Sequence, residues 1–311
     1  MKSLTGGVGS GRVTVLEVIQ KGADYLARKG VDSPRLQVEL LLAHVLKLPR
    51  LKLYLNFERP LPESEVAALR ELVTRRGDRV PLQHLVGSTS FCGLEIAVGP
   101  EVLIPRPETE LLAQHAADWL RPRGGEGGQG LRLLDYGTGS GCLAIYLATQ
   151  FPAAEVHAVD LSPAALARAR QNAARHGVES RLLFHEGDGM QGVPGGLDFD
   201  AVVSNPPYIP TSELGGLQPE VRDHDPRLAL DGGADGLTFY RRLASEVPPV
   251  LRDGGRLLVE LGDDQAPGVR SLLESQNWVV AAVHDDYSAR ARVLVAGRDG
   301  AAQISDLTQH G

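Results

Sequence analysis

Residues 133–141 have the sequence LLDYGTGSG, in which an apolar run ends at an aspartate and a tyrosine and gives way to three glycines. The apolar run is typical of a buried strand, and the next segment is predicted to open a helix. Glycine lets the backbone pass close to a ligand, and the first turn of a helix points its N–H groups at one. The turn therefore predicts a ligand site formed by Gly137, Thr138, Gly139, Ser140 and Gly141.

Helix-like and strand-like segments alternate from about residue 108 onward. One helix is predicted over Ser162–His176, because Ser162 is a good N-cap and Gly177 a good stop. Such alternation predicts an α/β fold with a doubly wound, mainly parallel sheet covered on both faces, whose ligands bind at the carboxyl ends of the strands. Strands are predicted at Leu131–Tyr136, Glu155–Asp160, Arg181–Asp188, Asp198–Asn205, Arg256–Leu261, Trp278–His284 and Arg292–Ala296.

Two aspartates end the strands that come after the glycine turn. Asp160 lies about 20 residues after the turn, at the position from which a carboxylate binds two ribose hydroxyls. Asp188 is placed to accept a hydrogen bond from an adenine amino group, and a plain N-cap or a solvated turn is the alternative. The turn lacks the third spaced glycine of the dinucleotide fingerprint. An adenosyl group with an amino-acid tail therefore fits better than a pyrophosphate, and the sequence favours S-adenosylmethionine.

The segment 203–210, VSNPPYIP, comes directly after a further apolar run. Two prolines in a row end a sheet ladder and leave carbonyl groups free on a stiff backbone. A planar NH2 group, on an amide or a base, would give its two protons to the Asn205 side-chain oxygen and the Pro206 carbonyl, with Tyr208 packed on its flat face. Asn205, Pro206 and Tyr208 are therefore predicted to catalyse methyl transfer by positioning, without a general base. An ordinary proline-rich turn is the alternative for this segment alone.

The rest of the chain divides by its periodicity. Residues 14–80 have helical periodicity and are predicted to form a small N-terminal domain. Residues 81–107 are predicted to be a β-hairpin linker, in which Phe91–Val98 alternates like one strand that pairs with a neighbour. Residues 108–297 form the predicted α/β domain. The tails, 1–13 and 298–311, are predicted to be disordered.

Composition limits the possible partners of the chain. The chain has 311 residues, a net charge of −7 and 5% aromatic residues. Surfaces that bind nucleic acid are typically basic, so this composition predicts no stable binding of nucleic acid. It has no apolar run of about 20 residues and no signal-peptide core, so we expect no membrane partner, and a cytoplasmic location. The two cysteines, Cys92 and Cys142, are too few for a disulfide framework or a cysteine-based metal site. We expect a monomer that holds no metal.

Five blocks of the sequence occur together in one known family, in the same order and spacing. They are IPRPETE at 104–110, LDYGTGSGCLAI at 134–145, AVDLSPAAL at 158–166, VVSNPPYIP at 202–210 and LALDGGADGLTFY at 228–240. Over residues 14–297 the chain resembles the HemK/PrmC family, the glutamine N5-methyltransferases that modify peptide chain release factors. The resemblance implies a Rossmann-like class I methyltransferase sheet that uses S-adenosylmethionine, and a helical N-terminal domain that recognises the protein substrate.

The resemblance also implies roles for single residues. Cofactor contacts are expected from Gly137–Gly141, Asp160, Asp188, Gly189 and Asn205. The glutamine side chain of a GGQ loop is expected among Asn205, Pro206, Pro207 and Tyr208. Arg106 and Glu108, with Thr109, are expected to shape the mouth of the pocket, or Arg106 and Glu108 only to brace the hinge as a pair.

Several positions depart from the family pattern. Tyr136 stands where leucine is common, and Asp225 precedes Pro226 where the family commonly has glutamate. Gly189 stands where relatives often carry an aromatic residue that packs on adenine, so a lower affinity for the cofactor is expected. Ala291 replaces an acidic residue near the C-terminus, and no role is assigned there.

The segment 127–129 reads GGQ, the tripeptide that the substrates of the family present. Flexible linkers are rich in glycine and polar residues, so coincidence is the favoured explanation. Methylation of Gln129 by another copy of the chain is a hypothesis that the sequence permits.

Three other functions use the same motifs. A nucleic-acid methyltransferase acts on an amino group of a flipped base, but it needs Lys and Arg to neutralise phosphates. A glutamine methyltransferase of a ribosomal protein differs only in docking. A cofactor-binding module without catalysis is disfavoured by the intact acceptor segment.

Overall fold

In a computed structural model the chain is described from residue 13 to residue 298. It forms two compact units, which divide between Gly87 and Ser88. The division falls inside the segment 81–107 that we expected to be a linker. The tails that we expected to be disordered, 1–13 and 298–311, lie outside the described residues except for Val13 and Arg298.

The N-terminal unit is helical. Helix α1 begins after Thr14, whose hydroxyl accepts from the Glu17 N–H while the Glu17 carboxylate accepts from the Thr14 N–H. Buried side chains such as Ile19, Leu41 and Leu69 bring the apolar faces of the helices into one core. The helices are α1 Val15–Arg28, α2 Pro34–Leu46, α3 Arg50–Tyr54, α4 Glu63–Gly77 and α5 Leu82–Val86.

The second unit opens with a β-hairpin. Strands β1, Ser88–Phe91, and β2, Leu94–Ala97, pair antiparallel. The single strand that we predicted over Phe91–Val98 is therefore wrong. The chain reverses at Cys92 and Gly93, whose φ angles are 48° and 79°, as a two-residue hairpin turn requires. Cys92 continued the alternating pattern and so concealed the turn.

A seven-stranded sheet forms the centre of the described part of the second unit. Its order is β5-β4-β3-β6-β7-β9-β8, with parallel pairing from β5 to β7 and antiparallel pairing of β9 with β7 and β8. The predicted α/β fold with a mainly parallel sheet is confirmed. The strands are β3 Arg132–Tyr136, β4 Glu155–Asp160, β5 Leu182–Glu186, β6 Phe199–Ser204, β7 Leu251–Glu260, β8 Val279–Asp285 and β9 Ala291–Gly297.

Helices cover both faces of this sheet. Side chains of α6, α7 and α8 belong to one buried cluster, and those of α10 and α11 belong to another. Ser162 caps α8 as predicted, because its hydroxyl accepts from the Ala165 N–H. Within residues 13–298, no helix has the length and apolar character to cross a membrane. The helices are α6 Pro107–Leu120, α7 Cys142–Gln150, α8 Pro163–Arg175, α9 Pro219–Arg222, α10 Thr238–Glu246 and α11 Ala266–Ser275.

The parallel register gathers the strand ends at one edge. Tyr136 of β3 lies opposite Val159 of β4, and Asp135 lies opposite Val203 of β6. The chain runs outward from β3 to β5 and then returns to β6 on the other side of β3, so the sheet has its switch point here. The glycine turn, Asp160 and the proline-rich segment therefore emerge side by side.

A buried amide joins the hairpin to the glycine turn. The Asn172 side chain of α8 is fully buried, accepts from the Ala97 N–H at 2.9 Å, and donates to the carbonyls of Ala97 and Ser140 at 3.0 and 2.9 Å. Because it contacts both segments, this side chain fixes the hairpin against the turn.

Asn172→Ala tests this connection. The variant removes the partner of the N–H and carbonyl of half-buried Ala97 and of the carbonyl of buried Ser140, and a buried polar group left unpaired costs about 1–3 kcal/mol. We expect the free energy of unfolding to fall by about 1–3 kcal/mol, measured as a lower midpoint of urea denaturation. The neighbour Gln171, which is exposed, is the control, and an equal effect of Gln171→Ala would contradict this account.

Candidate active site

The glycine turn rests on a buried carboxyl group. The Asp135 carboxyl accepts from the Thr138 hydroxyl at 2.7 Å and from the Ala144 N–H at 3.1 Å. Burial raises the pKa of Asp135 to about 7. Gly137 and Gly139 have φ angles of 78° and 54°, and a Cβ atom on either would point into open space. The Asp135 carboxyl thus holds the turn in place, and Gly137 and Gly139 leave open space where side chains would otherwise lie.

Asp160 lies at the carboxyl end of β4, beside this turn. One of its oxygens accepts from the Gly139 N–H at 2.8 Å, and the other accepts from the Ser162 N–H at 2.9 Å. Each carboxylate oxygen has a second lone pair, so both remain able to accept from a ligand hydroxyl. Burial raises the pKa of Asp160. The geometry suits a vicinal diol such as a ribose.

Asn205 comes directly after β6 and contacts two other elements through a chain of hydrogen bonds. Its Nδ2 group donates to Thr109 Oγ1 at 2.9 Å, and the Thr109 hydroxyl donates to Glu260 Oε2 at 2.6 Å. The Tyr208 hydroxyl donates to the other oxygen of Glu260 at 3.3 Å. Glu260 is fully buried at the end of β7, and burial raises its pKa to about 7.

These strand ends enclose a cavity of about 340 Å³ in the second unit, a size suited to a nucleoside-sized ligand. Apolar walls come from Val102, Leu143 and Phe239 among others. Many of the predicted site residues line it together: Gly137, Thr138, Gly139, Ser140, Asp160, Asp188, Gly189, Asn205, Pro206 and Pro207. The other predicted residues, which are described but do not line it, are Gly141, Tyr208, Arg106 and Glu108.

Two of the residues outside the cavity lining have other contacts. Gly141 packs against α8, since a Cβ atom there would come within 3.0 Å of the Ala169 Cβ. Tyr208 reaches Glu260, and burial raises the pKa of its phenol. Its packing on a substrate amide stays a prediction.

Arg106 forms an ion pair with Asp225 at 2.5 Å. Glu108 was the expected partner of Arg106, but its ion-pair partner in the structure is Asp225. Asp225 is buried, and burial raises its pKa. Pro226 and Leu228, which follow Asp225 within three residues, line the cavity. The ion pair therefore holds the segment that forms one rim of the cavity.

A second polar cluster closes the end of the cavity near β5. Arg242 of α10 donates to the Asp188 carboxylate at 2.6 Å and to Glu246 at 2.9 Å. The Tyr136 hydroxyl donates to Glu246 at 2.9 Å, and so does the Met190 N–H at 3.1 Å. Asp188 was predicted to accept a hydrogen bond from an adenine amino group. Its carboxylate is already oriented by the hydrogen bond from Arg242.

Gly189 has no room for a side chain at this end. Its φ is 64°, and an added Cβ would lie 2.1 Å from the Tyr136 hydroxyl and 2.5 Å from the Glu246 carboxylate. Tyr136 and Gly189 both differ from the pattern of the family that the sequence resembles, and the two residues are neighbours in the structure. The tyrosine hydroxyl occupies the space that an aromatic side chain at 189 would need.

Sequence reasoning missed Glu260, Arg242 and Glu246. Glu260 ends an apolar strand, and the rule that ligands bind at the carboxyl ends of strands was a sufficient signal for it. Arg242 and Glu246 lie on an ordinary amphipathic helix, where charged residues are expected on the solvent face. Only the packing of α10 against the sheet brings Arg242 to the cavity and Glu246 to the Tyr136 hydroxyl.

Gln129 lies before β3, at the opposite end of that strand from the glycine turn. It is exposed. Gly128 is buried, and an added Cβ would come within 2.7 Å of Phe151. Methylation of Gln129 in trans stays a hypothesis.

Comparison with known proteins places the chain among methyltransferases. Residues 17–87 match the model of the PrmC N-terminal domain, and residues 128–299 match a methyltransferase domain. The release factor glutamine methyltransferase of Geobacter sulfurreducens is 45% identical over 92% of this chain and 97% of its own length. That of Chlorobaculum tepidum is 44% identical over 90% and 96%.

Solved structures agree on the fold. A methyltransferase from Pyrococcus furiosus superposes with a TM-score of 0.50 at 20% identity, covering 67% of this chain and 91% of that one. The predicted class I architecture and the use of S-adenosylmethionine are confirmed. With the glycine turn, Asp160 and NPPY at one site, and with this level of identity over nearly the whole length, the chain belongs to the release factor glutamine methyltransferase family.

Proposed function

We propose that this enzyme transfers the methyl group of S-adenosylmethionine to the side-chain amide nitrogen of the glutamine in the GGQ motif of peptide chain release factors. The observation that carries the proposal is the position of Asn205 and Pro206, which line the same cavity as Asp160 and the glycine turn. Its acceptor specificity is supported by relatives at 44–45% identity that are named for release factor glutamine methylation.

The residues of the cavity fit the cofactor. Asp160 offers two carboxylate oxygens for the ribose, and the open side of the glycine turn gives a backbone surface for the amino-acid tail. Asp188 and Gly189 form the end suited to adenine. When bound, S-adenosylmethionine supplies an electrophilic methyl group on a positively charged sulfur.

The acceptor amide is held by the NPPY segment. A carboxamide nitrogen is a poor nucleophile because its lone pair is conjugated, so orientation and exclusion of water have to supply the rate. The Asn205 oxygen and the Pro206 carbonyl accept the two N–H protons of the substrate amide and aim its nitrogen at the methyl group. Held in this way, the substrate nitrogen would take the methyl group that the bound cofactor supplies, and it would release to solvent a proton that becomes acidic during attack.

Location and partners are inferred from this role. We infer a cytoplasmic location, because the proposed protein substrate acts in translation termination. We also infer no stable binding of nucleic acid, because the net charge is −7. The N-terminal helical unit, expected over residues 14–80, is proposed to recognise the release factor. The segment 81–107, which contains the hairpin of β1 and β2, is proposed to connect it to a catalytic domain at 108–297.

The substrate is tested directly. Purified enzyme with methyl-labelled S-adenosylmethionine is incubated separately with release factors, ribosomal proteins, DNA and RNA. We expect label on the GGQ glutamine of release factors, located by peptide mass spectrometry, and none on a release factor with that glutamine replaced by alanine. Label confined to ribosomal protein or nucleic acid would refute the proposed substrate.

Asn205→Ala tests the acceptor site. The variant removes the oxygen that orients the substrate amide, so kcat should fall at least about 100-fold. The Kd for S-adenosylhomocysteine, measured by calorimetry, should change less than about threefold, because the glycine turn and Asp160 are intact. Turnover at the wild-type rate would remove Asn205 from the mechanism.

Asp160→Asn tests the cofactor site. Hydrogen bonds to a charged group contribute about 1.5–3 kcal/mol each, so the Kd for S-adenosylmethionine should rise about 10- to 100-fold. The control is Asp118→Asn, which removes a carboxylate from an exposed pair with Arg121 at 2.9 Å. Equal affinity in the two variants would show that Asp160 does not bind the cofactor.

A further inference from the structure

The orientation of the Asn205 amide decides which of its ends meets the substrate. Its oxygen and its nitrogen occupy similar volumes, but only the oxygen accepts hydrogen bonds from a substrate NH2 group. The proposed function therefore needs residues that keep the nitrogen away from the substrate, and the role assigned to them here rests on that function.

The Asn205 nitrogen has a partner, and its oxygen has none among residues 13–298. The nitrogen donates to Thr109 Oγ1 at 2.9 Å. Thr109 is 2% exposed and Glu260 is 0% exposed, so bulk water does not reach this part of the chain of hydrogen bonds. The partners of the Asn205 nitrogen are thus fixed protein groups.

The number of available protons fixes the direction of these bonds. An ionised carboxylate only accepts, so the Thr109 hydroxyl has to give its single proton to Glu260, 2.6 Å away. Thr109 then has only lone pairs left for Asn205. The group that faces Thr109 must be a donor, which is the Asn205 nitrogen.

We propose that Glu260 and Thr109 are positioning residues, which together fix the Asn205 amide with its oxygen directed at the substrate nitrogen. Glu260 also accepts from the Tyr208 hydroxyl at 3.3 Å. One buried carboxylate therefore orients two residues of the NPPY segment. Neither Glu260 nor Thr109 is a catalytic residue, because each acts through Asn205 or Tyr208.

Thr109→Val and Thr109→Ser form the matched pair that tests the proposal. Valine keeps the shape of threonine but removes the hydroxyl, whereas serine keeps the hydroxyl. For Thr109→Val we expect kcat to fall about 10- to 100-fold, since a small misorientation of a positioning group has that effect. We expect Thr109→Ser to keep kcat within about threefold. The Kd for S-adenosylhomocysteine, measured by calorimetry, should stay at the wild-type value in both.

The outcomes separate positioning from packing. Loss in Thr109→Val with rescue in Thr109→Ser supports the proposal. Wild-type kcat in Thr109→Val refutes it, and so does an equal loss in both variants, which would indicate that the methyl group or the volume matters and the hydroxyl does not. Thermal denaturation of each variant establishes that it is folded.

The charge state of Glu260 gives a second measurement, which needs no change at Thr109. Protonated Glu260 can donate to Thr109, and Thr109 can then donate to Asn205, so the reversed arrangement becomes available. Burial raises the pKa of Glu260 to about 7; Glu108 acts in the same direction, and the hydrogen bonds from Thr109 and Tyr208 and the charge of Arg292 oppose it. The hydroxyls of Thr109 and Tyr208 donate to the Glu260 carboxylate, and the Tyr240 hydroxyl donates to the Glu260 backbone carbonyl.

Above the pKa the carboxylate form of Glu260 predominates, so Thr109 has to donate to Glu260 and the orientation of the Asn205 amide is fixed. Below about pH 7 the protonated form allows the reversed hydrogen bonds, and the amide orientation is no longer fixed. We expect wild-type kcat to fall as the pH drops through this range. Glu260→Gln cannot ionise and should have a lower kcat at pH 8 and a smaller decrease at lower pH, because the titration of Asp135, whose pKa is also about 7, is common to both enzymes. The same pH profile in both enzymes would show that Glu260 does not set the orientation.

Failure of this proposal and failure of the proposed function are distinguishable. If wild-type enzyme does not methylate release factors, the proposed substrate is wrong, whatever the variants do. If wild-type enzyme is active and the Thr109 and Glu260 variants give the refuting outcomes, only the positioning role falls.

Discussion

The parallel alignment of β3 with β4 and β6 is the constraint on which the site depends. Residues that are distant in sequence reach one edge because their strands run in the same direction and end in register. Parallel strands require a crossover, and the crossover helices supply the apolar faces that bury the sheet. The same arrangement therefore makes the core and brings the glycine turn, Asp160 and Asn205 into one cavity.

Buried polar groups then give this cavity its shape. Asp135, Asn172 and Glu260 are each almost fully buried, and each accepts hydrogen bonds from other segments of the chain. An unpaired buried polar group costs about 1–3 kcal/mol, so the segments it joins are held in one arrangement. The glycine turn and the proline-rich segment are thus positioned by rigid contacts beneath them.

The sequence predicted the fold class, the seven strands and the cap of α8, because each leaves a local pattern. It also predicted the cavity-lining residues that come after strands. It missed the hairpin turn at Cys92 and Gly93, since an apolar residue there preserved the alternation. It missed Arg242 and Glu246 because charged residues on a helix give no indication of what lies opposite them. The departures at Tyr136 and Gly189 were visible, but their connection was not.

The sequence by itself determined which segments are strands and helices, which turns approach a ligand, and which chemical groups are offered to it. Hydrophobic period, glycine and proline are local properties, so a linear pattern records them. The tertiary structure alone decided the partners: Glu260 beneath Thr109, Asp225 beside Arg106, and the Tyr136 hydroxyl over Gly189. Direction and strength of a hydrogen bond depend on the distance between atoms from separate elements, and that distance exists only after the sheet has been assembled.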